Sequence, residues 1–467
     1  MTDSQQPVVT RYQPPGAHAR IGAARRDITP PVGIRARNWG AARTDLATGI
    51  HRPILVNALC IVEHDDTARF LVTLDLIGLH HGPDRMIRPR ILAALGIEED
   101  RLLLHCVHTH AGPSVDTDEA ALDGGSLIAD YIDAVVGGII AACRSSRDAA
   151  QDCTITWGYG HCDLAGNRDL PTPVRDLCGF NPALEADDTV AVGRIADSDG
   201  HVIAVLVNYA CHATTLAWQN SLISSDYVGA ARETVEQAVG GVCLFLQGAS
   251  GELGPKRQYT GDVSIADANG RCLGYAALAT LGAMPPPGHE LNFTGTVESG
   301  APLATWDSVV AEFDPTEAFA RIDVPVQLKP EMSADEIAHR WPGIDPIAAE
   351  ERARRAQRLR VTYAGRGTAH HPVWLWRLGD GIIVAQPGEA YSLLQRELRR
   401  RHPNRVLLVM NLTNAPGAMY IPPAAAYDHD RYQVWQTLYD RGALEAIIGH
   451  ADGAISDLAR ERTSPSV

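Results

Sequence analysis

From Ile21 onward, short runs rich in Val, Ile and Leu alternate with longer segments of helical periodicity, and this interleaving constrains the fold more than any other feature. Alternating or continuously apolar runs predict strands at 54–63, 69–74, 102–107, 154–159, 190–196, 202–209 and 242–246. A later set covers 322–328, 373–378, 382–386 and 406–411. Helices are expected at 82–95, 127–144, 226–239, 264–281, 347–360, 390–401 and 441–455. Strands and helices mixed in this way specify an α/β fold. No internal repeat breaks the pattern. Residues 1–20 read as a flexible arm, 21–460 as the folded unit and 461–467 as a frayed tail. The stretch 284–298, opening MPPPGHE, reads as a loop that separates two lobes.

Bulk properties narrow the function classes. The chain has 467 residues, 45% hydrophobic and 21% charged, an ordinary globular balance. Its net charge of −15 and lack of a basic run argue against a phosphate-neutralising surface, so nucleic acid is not an expected partner. The polar N-terminus lacks the apolar core of a signal peptide, and no apolar run has the length of a membrane span. No membrane insertion is therefore expected. Nine cysteines are scattered without a Cys-x-x-Cys, which suggests reduced thiols in a cytoplasmic protein.

Several segments carry chemistry at the ends of apolar runs. In LLLHCVHTHAGP, His108 and His110 are two apart, so extended chain would point both at one cleft. Imidazole is a common zinc ligand, and a neighbouring one can move a proton. Histidines that merely hydrogen-bond at a strand end would look the same. In VLVNYACHATT a second run delivers His212, which read alone is more often a satisfied core or loop histidine than a ligand. Asp226 stands before a helix and is assigned to capping it.

The run LFLQGASGELGP opens into a Gly-rich loop that can bring backbone N–H groups to a developing oxyanion. It lacks both a P-loop ending and the Gly-x-Ser-x-Gly elbow, so Ser250 as a nucleophile is a lesser alternative. Glu389, in IIVAQPGEAY, is either a helix-start carboxylate or a metal ligand. Tyr420 sits in a Gly/Pro-rich loop and Arg168 in the turn GNRDLP, where packing and a surface salt bridge are the plain readings.

Taken in order from about Ile21 to Asp430, these segments resemble the neutral (non-lysosomal) ceramidase superfamily. GAARRDITPPVG is similar to that family's Asp-Ile-Thr-Pro opening, and HTHAGP to its His-Thr-His-Ser-Gly-Pro motif with Ala111 for Ser. GNRDLP resembles the Asn-Arg-Ser-Pro turn, and VNYACHAT the strand with the second zinc histidine. QPGE resembles the segment with the zinc carboxylate, and Tyr-Ile-Pro-Pro from Tyr420 the one with the tyrosine ligand.

The resemblance implies a large mixed α/β catalytic domain without the family's C-terminal immunoglobulin-like domain. It implies one zinc per chain, held by His108, His212, Glu389 and Tyr420. His110 would shuttle a proton or contact substrate, and Arg168 would contact the substrate or transition state. The implied reaction is hydrolysis of an N-acyl or cyclic amide by water activated on zinc. The family carries a hydroxyl residue after the loop glutamine; here Gly248 stands there against the substrate, with Ser250 as the substitute hydroxyl. That departure favours a soluble small-molecule amide over ceramide as partner, and a homo-oligomer is allowed. The alternatives are a binuclear metal-dependent esterase or lactonase, with His108 and His110 both ligands, and a non-catalytic binding protein on the same fold.

Overall fold

A computed structural model describes residues 9–330, 333, 335–336, 345–363, 365–415, 420–429 and 431–460. Twelve strands build its two stacked sheets. The larger sheet comprises β1 (Gly16–Asp27), β2 (Leu55–Val62), β3 (Ala68–Leu74), β4 (Leu102–Cys106), β5 (Gln151–His161), β6 (Thr189–Asp197), β7 (Val202–Tyr209) and β8 (Val242–Gln247). Their spatial order is β8-β7-β6-β5-β1-β2-β3-β4. The outer pairs β7/β8 and β3/β4 are parallel and the inner pairs antiparallel. The smaller sheet contains β9 (Glu317–Gln327), β10 (Thr368–Leu378), β11 (Gly381–Ala385) and β12 (Val406–Met410), in that order.

Period-two alternation explains the stacking. Leu59 and Ile61 of β2 face the smaller sheet, where they join Trp157, Leu206, Leu246, Trp376, Ile383 and Leu408 in a core between the sheets. Val56, Ala58 and Cys60 face the other way, onto helices α1 (His81–Leu95) and α2 (Ile128–Asp148). Helices α3 (Tyr227–Val239) and α4 (Val263–Gly282) cover the β6–β8 end of the same face. Helices α5 (Leu393–Arg401) and α6 (Ala443–Arg460) cover the outer face of the smaller sheet. The result is four layers, α/β/β/α, in which each fully buried Leu or Ile contributes roughly 1.5–3 kcal/mol. The span Gly125–Asp148, which contains α2, is long and apolar enough to cross a membrane, but Ile128, Ile132, Val135 and Ile139 pack it onto the sheet.

Two expectations need correction. The chain is not a free arm up to residue 20: β1 starts at Gly16, which is paired with Thr156 of β5. The expected loop at 284–298 holds a strand, His289–Glu298, paired with Pro302–Val310 and bulged between Phe293 and Gly295. That hairpin is largely exposed on both faces, and its alternation of Leu291, Phe293 and Val297 with polar residues is interrupted by Gly295 at the bulge, behind an opening Pro/Gly run that reads as a loop. The tail at 461–467 and the first eight residues lie outside the described residues.

Candidate metal centre

Strand β4 ends at Cys106, and the chain turns sharply at His108, whose φ is +69°. A left-handed backbone at a non-glycine residue is strained by about 1–3 kcal/mol and is typical of a functional position. The turn is held because His108 N–H donates to Leu76 O at 3.0 Å. His212 follows β7, and its N–H donates to Leu253 O at 3.1 Å. The two imidazoles are oriented alike. His108 Nδ1 bonds Ile77 O at 2.5 Å, and His212 Nδ1 bonds Ser250 O at 2.7 Å. With each Nδ1–H given to a carbonyl, each Nε2 keeps its lone pair.

Both Nε2 atoms face one carboxylate. Glu389 Oε2 lies 3.3 Å from His108 Nε2 and 3.0 Å from His212 Nε2. Burial raises the Glu389 carboxyl, whereas charge on and hydrogen bonding from His108 and His212, where their Nε2 atoms carry protons, hold it well below the usual range. Burial, reinforced by Arg168, lowers His212 to about 3, so it is neutral. The three donor atoms lie within 4.8 Å of one another and all three residues are buried. Two imidazoles with lone pairs converging on an anionic oxygen are a donor set that fits a divalent ion such as zinc.

Tyr420 joins this cluster through backbone pairing. Glu389–Ala390 runs parallel to Tyr420–Ile421, with Glu389 opposite Tyr420. Tyr420 Oη is 3.4 Å from His212 Nε2. Arg168 is delivered by the strand Ala165–Asn167, which pairs with Leu253–Pro255. Its Nη2 lies 3.0 Å from His212 Nε2 and donates to Gly251 O at 2.8 Å and Tyr420 Oη at 3.1 Å. Arg168 Nε is buried without a partner among the described residues. His110 Nε2 stands 3.4 Å from His108 Nε2, while its Nδ1 is buried and has no partner among the described residues. Burial first, then the neighbouring histidines, hold His110 well below the usual imidazole range.

The Gly-rich loop behaves differently from the sequence reading. Gly248 N–H donates to Tyr209 O at 2.8 Å, and a Cβ there would meet Ala210 N at 2.9 Å. Close packing on Ala210 therefore explains this glycine, and its N–H is already used. Ser250 lies on the Nδ1 side of His212, away from Nε2. Its Oγ accepts from Gln247 Nε2 at 2.6 Å and lies 3.3 Å from His212 Nδ1, while its carbonyl orients the ring. Ser250 acts as a positioning residue in this geometry. His105 is a buried cross-link between Thr413 and the Gln247 N–H. Asp226 caps α3 at the Tyr227 N–H, as expected.

Sequence reasoning missed Trp39. Its ring lies 5.0 Å from that of His110, and it packs with Trp218 and Tyr259 into an aromatic wall. The one available signal was a tryptophan in a polar, Gly-containing loop, which identifies no partner.

Comparison with known proteins agrees with the fold. The family described as neutral/alkaline non-lysosomal ceramidase, N-terminal, matches residues 20–265. A neutral ceramidase from Pseudomonas aeruginosa is 25% identical over 248 residues, covering 50% of this chain and 37% of that protein. A neutral ceramidase from Drosophila melanogaster is 24% identical over 228 residues, 47% of this chain and 32% of its own. Neutral ceramidase 2 from Arabidopsis thaliana is 26% identical over 228 residues, 46% and 30% respectively. The matches thus span about a third of these relatives' lengths. The crystal structure of the Pseudomonas aeruginosa neutral ceramidase superposes with a TM-score of 0.67 at 18% identity, covering 97% of this chain and 76% of that one. A ceramidase complexed with C2 gives 0.66 at 18% identity, covering 97% and 77%. These relatives are named for a lipid amide, and that finding overturns the expectation of a soluble small-molecule amide as partner. The chain belongs to the neutral/alkaline non-lysosomal ceramidase family.

Proposed function

We propose that this chain is a zinc-dependent amidohydrolase that cleaves the amide bond of an N-acylated, long-chain amino alcohol of the ceramide type. The observation that carries the reading is the convergence of His108 Nε2, His212 Nε2 and Glu389 Oε2, with both Nδ1 atoms tied to backbone carbonyls. The family membership and the ceramidase relatives support the substrate class. His108, His212 and Glu389 would hold the ion, with Tyr420 as the fourth protein contact. When bound, zinc supplies a Lewis acid that polarises a carbonyl and makes water more acidic.

The chain's own residues supply the rest. His110, neutral and facing the cluster through Nε2, takes the proton of the attacking water there and passes it to the leaving nitrogen. An amine leaves poorly unless protonated, so this transfer is needed. Arg168 remains cationic and its Nε–H has no partner among the described residues, which suits it to a developing oxyanion. Tyr420 receives a hydrogen bond from Arg168 and couples the two.

The test joins metal analysis to cleavage of an N-acyl sphingoid base by the purified chain. About one zinc per chain and release of fatty acid are expected. Zinc-loaded protein that leaves every such amide intact would overturn the activity, and protein that takes up no divalent metal would overturn the centre.

A further inference from the structure

We propose that Cys162 and Cys272 form a redox pair that closes to a disulfide on meeting a small-molecule disulfide such as oxidised glutathione. Their sulfurs are 3.9 Å apart, one on the buried turn after β5 and the other exposed on α4. Three other thiols point at oxygen: Cys153 at the Ile21 and Gln151 carbonyls, Cys178 at Tyr259 Oη, Cys211 at the His212 carbonyl. A disulfide needs sulfurs about 2.05 Å apart, so the remaining approach is about 2 Å, within reach of a side-chain rotation.

The framework on the β5 side is fixed. Cys162 N–H donates to Asp188 O at 2.8 Å, and its carbonyl accepts from Tyr209 Oη at 2.8 Å. Helix α4 lies close against it: a Cβ at Gly160 would meet Thr280 Oγ1 at 1.9 Å. The helix therefore carries Cys272 to Cys162 at a distance that a larger residue at 160 would prevent.

The chemistry proceeds by two exchanges. The exposed Cys272 thiolate attacks a glutathione disulfide sulfur and displaces one glutathione thiolate. The Cys162 thiolate then attacks Cys272 Sγ and displaces the second. Two protein thiols lose two electrons and two protons, and one oxidised glutathione becomes two reduced ones. Access sets the order: Cys162 is only 4% exposed, and burial pushes its thiol up to about 12.

The bond bears on the metal centre by position. Cys162 leads into Ala165–Asn167 and then Arg168, which touches His212 and Tyr420. Tyr209 Oη, at the end of β7, bridges the Cys162 carbonyl and the Ala165 N–H. A disulfide here would pin the Arg168 segment to α4 and close a loop of 110 residues.

The full chain, fully reduced, is incubated with oxidised glutathione at about pH 8, where an exposed thiol is partly ionised. The expected product has lost two titratable thiols, weighs two hydrogens less and yields a cross-linked peptide joining Cys162 to Cys272. Its melting temperature should rise by at least about 3 °C, and dithiothreitol should reverse every change. Cys272→Ser should abolish all of this, and Cys162→Ser should leave one glutathione held on Cys272. Glutathione retained on Cys272 of the unaltered chain, a cross-link between other cysteines, or two unchanged thiols would each overturn the proposal. None of these readouts depends on amide hydrolysis.

Discussion

Arg232 of α3 reaches Asp75, at the end of β3, and grips both carboxylate oxygens: Nη1 to Oδ1 at 2.7 Å and Nη2 to Oδ2 at 2.5 Å. Their side chains are 2% and 0% exposed. Asp75 Oδ2 also accepts the Leu55 N–H at 2.9 Å. Removing one partner of such a pair leaves a buried charge unpaired, at a cost of about 3–5 kcal/mol. Arg232→Ala should therefore lower unfolding free energy by about that amount in urea titration. The next two residues, Leu76 and Ile77, hold His108, so metal affinity should fall too. A variant within about 1 kcal/mol of the parent would show that water or a rearranged side chain compensates the pair.

The two histidines of the His-Thr-His segment should separate by experiment. His212→Ala and Glu389→Ala each remove a converging donor and should lose both zinc and turnover. His110→Gln should keep the zinc and lose roughly 10²–10⁴-fold in turnover, the usual worth of a positioned proton carrier. Inductively coupled plasma analysis beside kinetics decides this. Zinc lost with His110→Gln would make His110 a ligand and revive the binuclear reading.

What the sequence could reveal follows physical lines. Strands such as β7 and β8 are apolar up to Asn208 and Gln247 near their ends because both faces are covered, and the exits at His212 and the Gly-rich loop were visible as punctuation. Strand β1 was hidden because its inward positions include Ala17 and Ala19, too small to stand out against His18 and Arg20. The stacking of the two sheets was also unreadable, since period two shows which side chains share a face but not what covers it. In the candidate metal centre, residue types at His108, His212 and Glu389 were legible. Their convergence, the parallel pairing that sets Glu389 against Tyr420, and the carbonyls that orient each imidazole depend on contacts distant in sequence. Gly248 misled for the same reason, because only the fold brings Ala210 against it.

Ser250 gives a sharper test of that loop. Ser250→Ala removes Oγ but keeps the carbonyl that orients His212, and Gln247 Nε2 retains its bond to Cys211 O at 2.8 Å. Turnover should fall only a few-fold, roughly the effect of one lost neutral hydrogen bond of about 1 kcal/mol. A loss of about a thousandfold or more, with zinc retained, would instead assign the hydroxyl a direct part in the reaction.

Glu252 makes the pH dependence of folding predictable. Burial raises its carboxyl to about 7, even though Ser392 donates both its N–H and its hydroxyl to it. In the unfolded chain the group titrates near about 4.3. Between those values the folded state holds a proton that the unfolded state has released, so stability falls as pH rises through the window. The contribution is present in full below about 4.3 and lost above about 7, amounting to about 4 kcal/mol in order of magnitude. Glu252→Gln keeps an acceptor for Ser392 and removes the titration. The difference in unfolding free energy, variant minus parent, should therefore grow in the variant's favour from about pH 4.3 to about pH 7 and then level off, a window set by the same two values. Parallel curves for the two proteins across that range would mean that Glu252 is ionised in the fold. The Ser392 bonds, rather than burial, would then govern its charge.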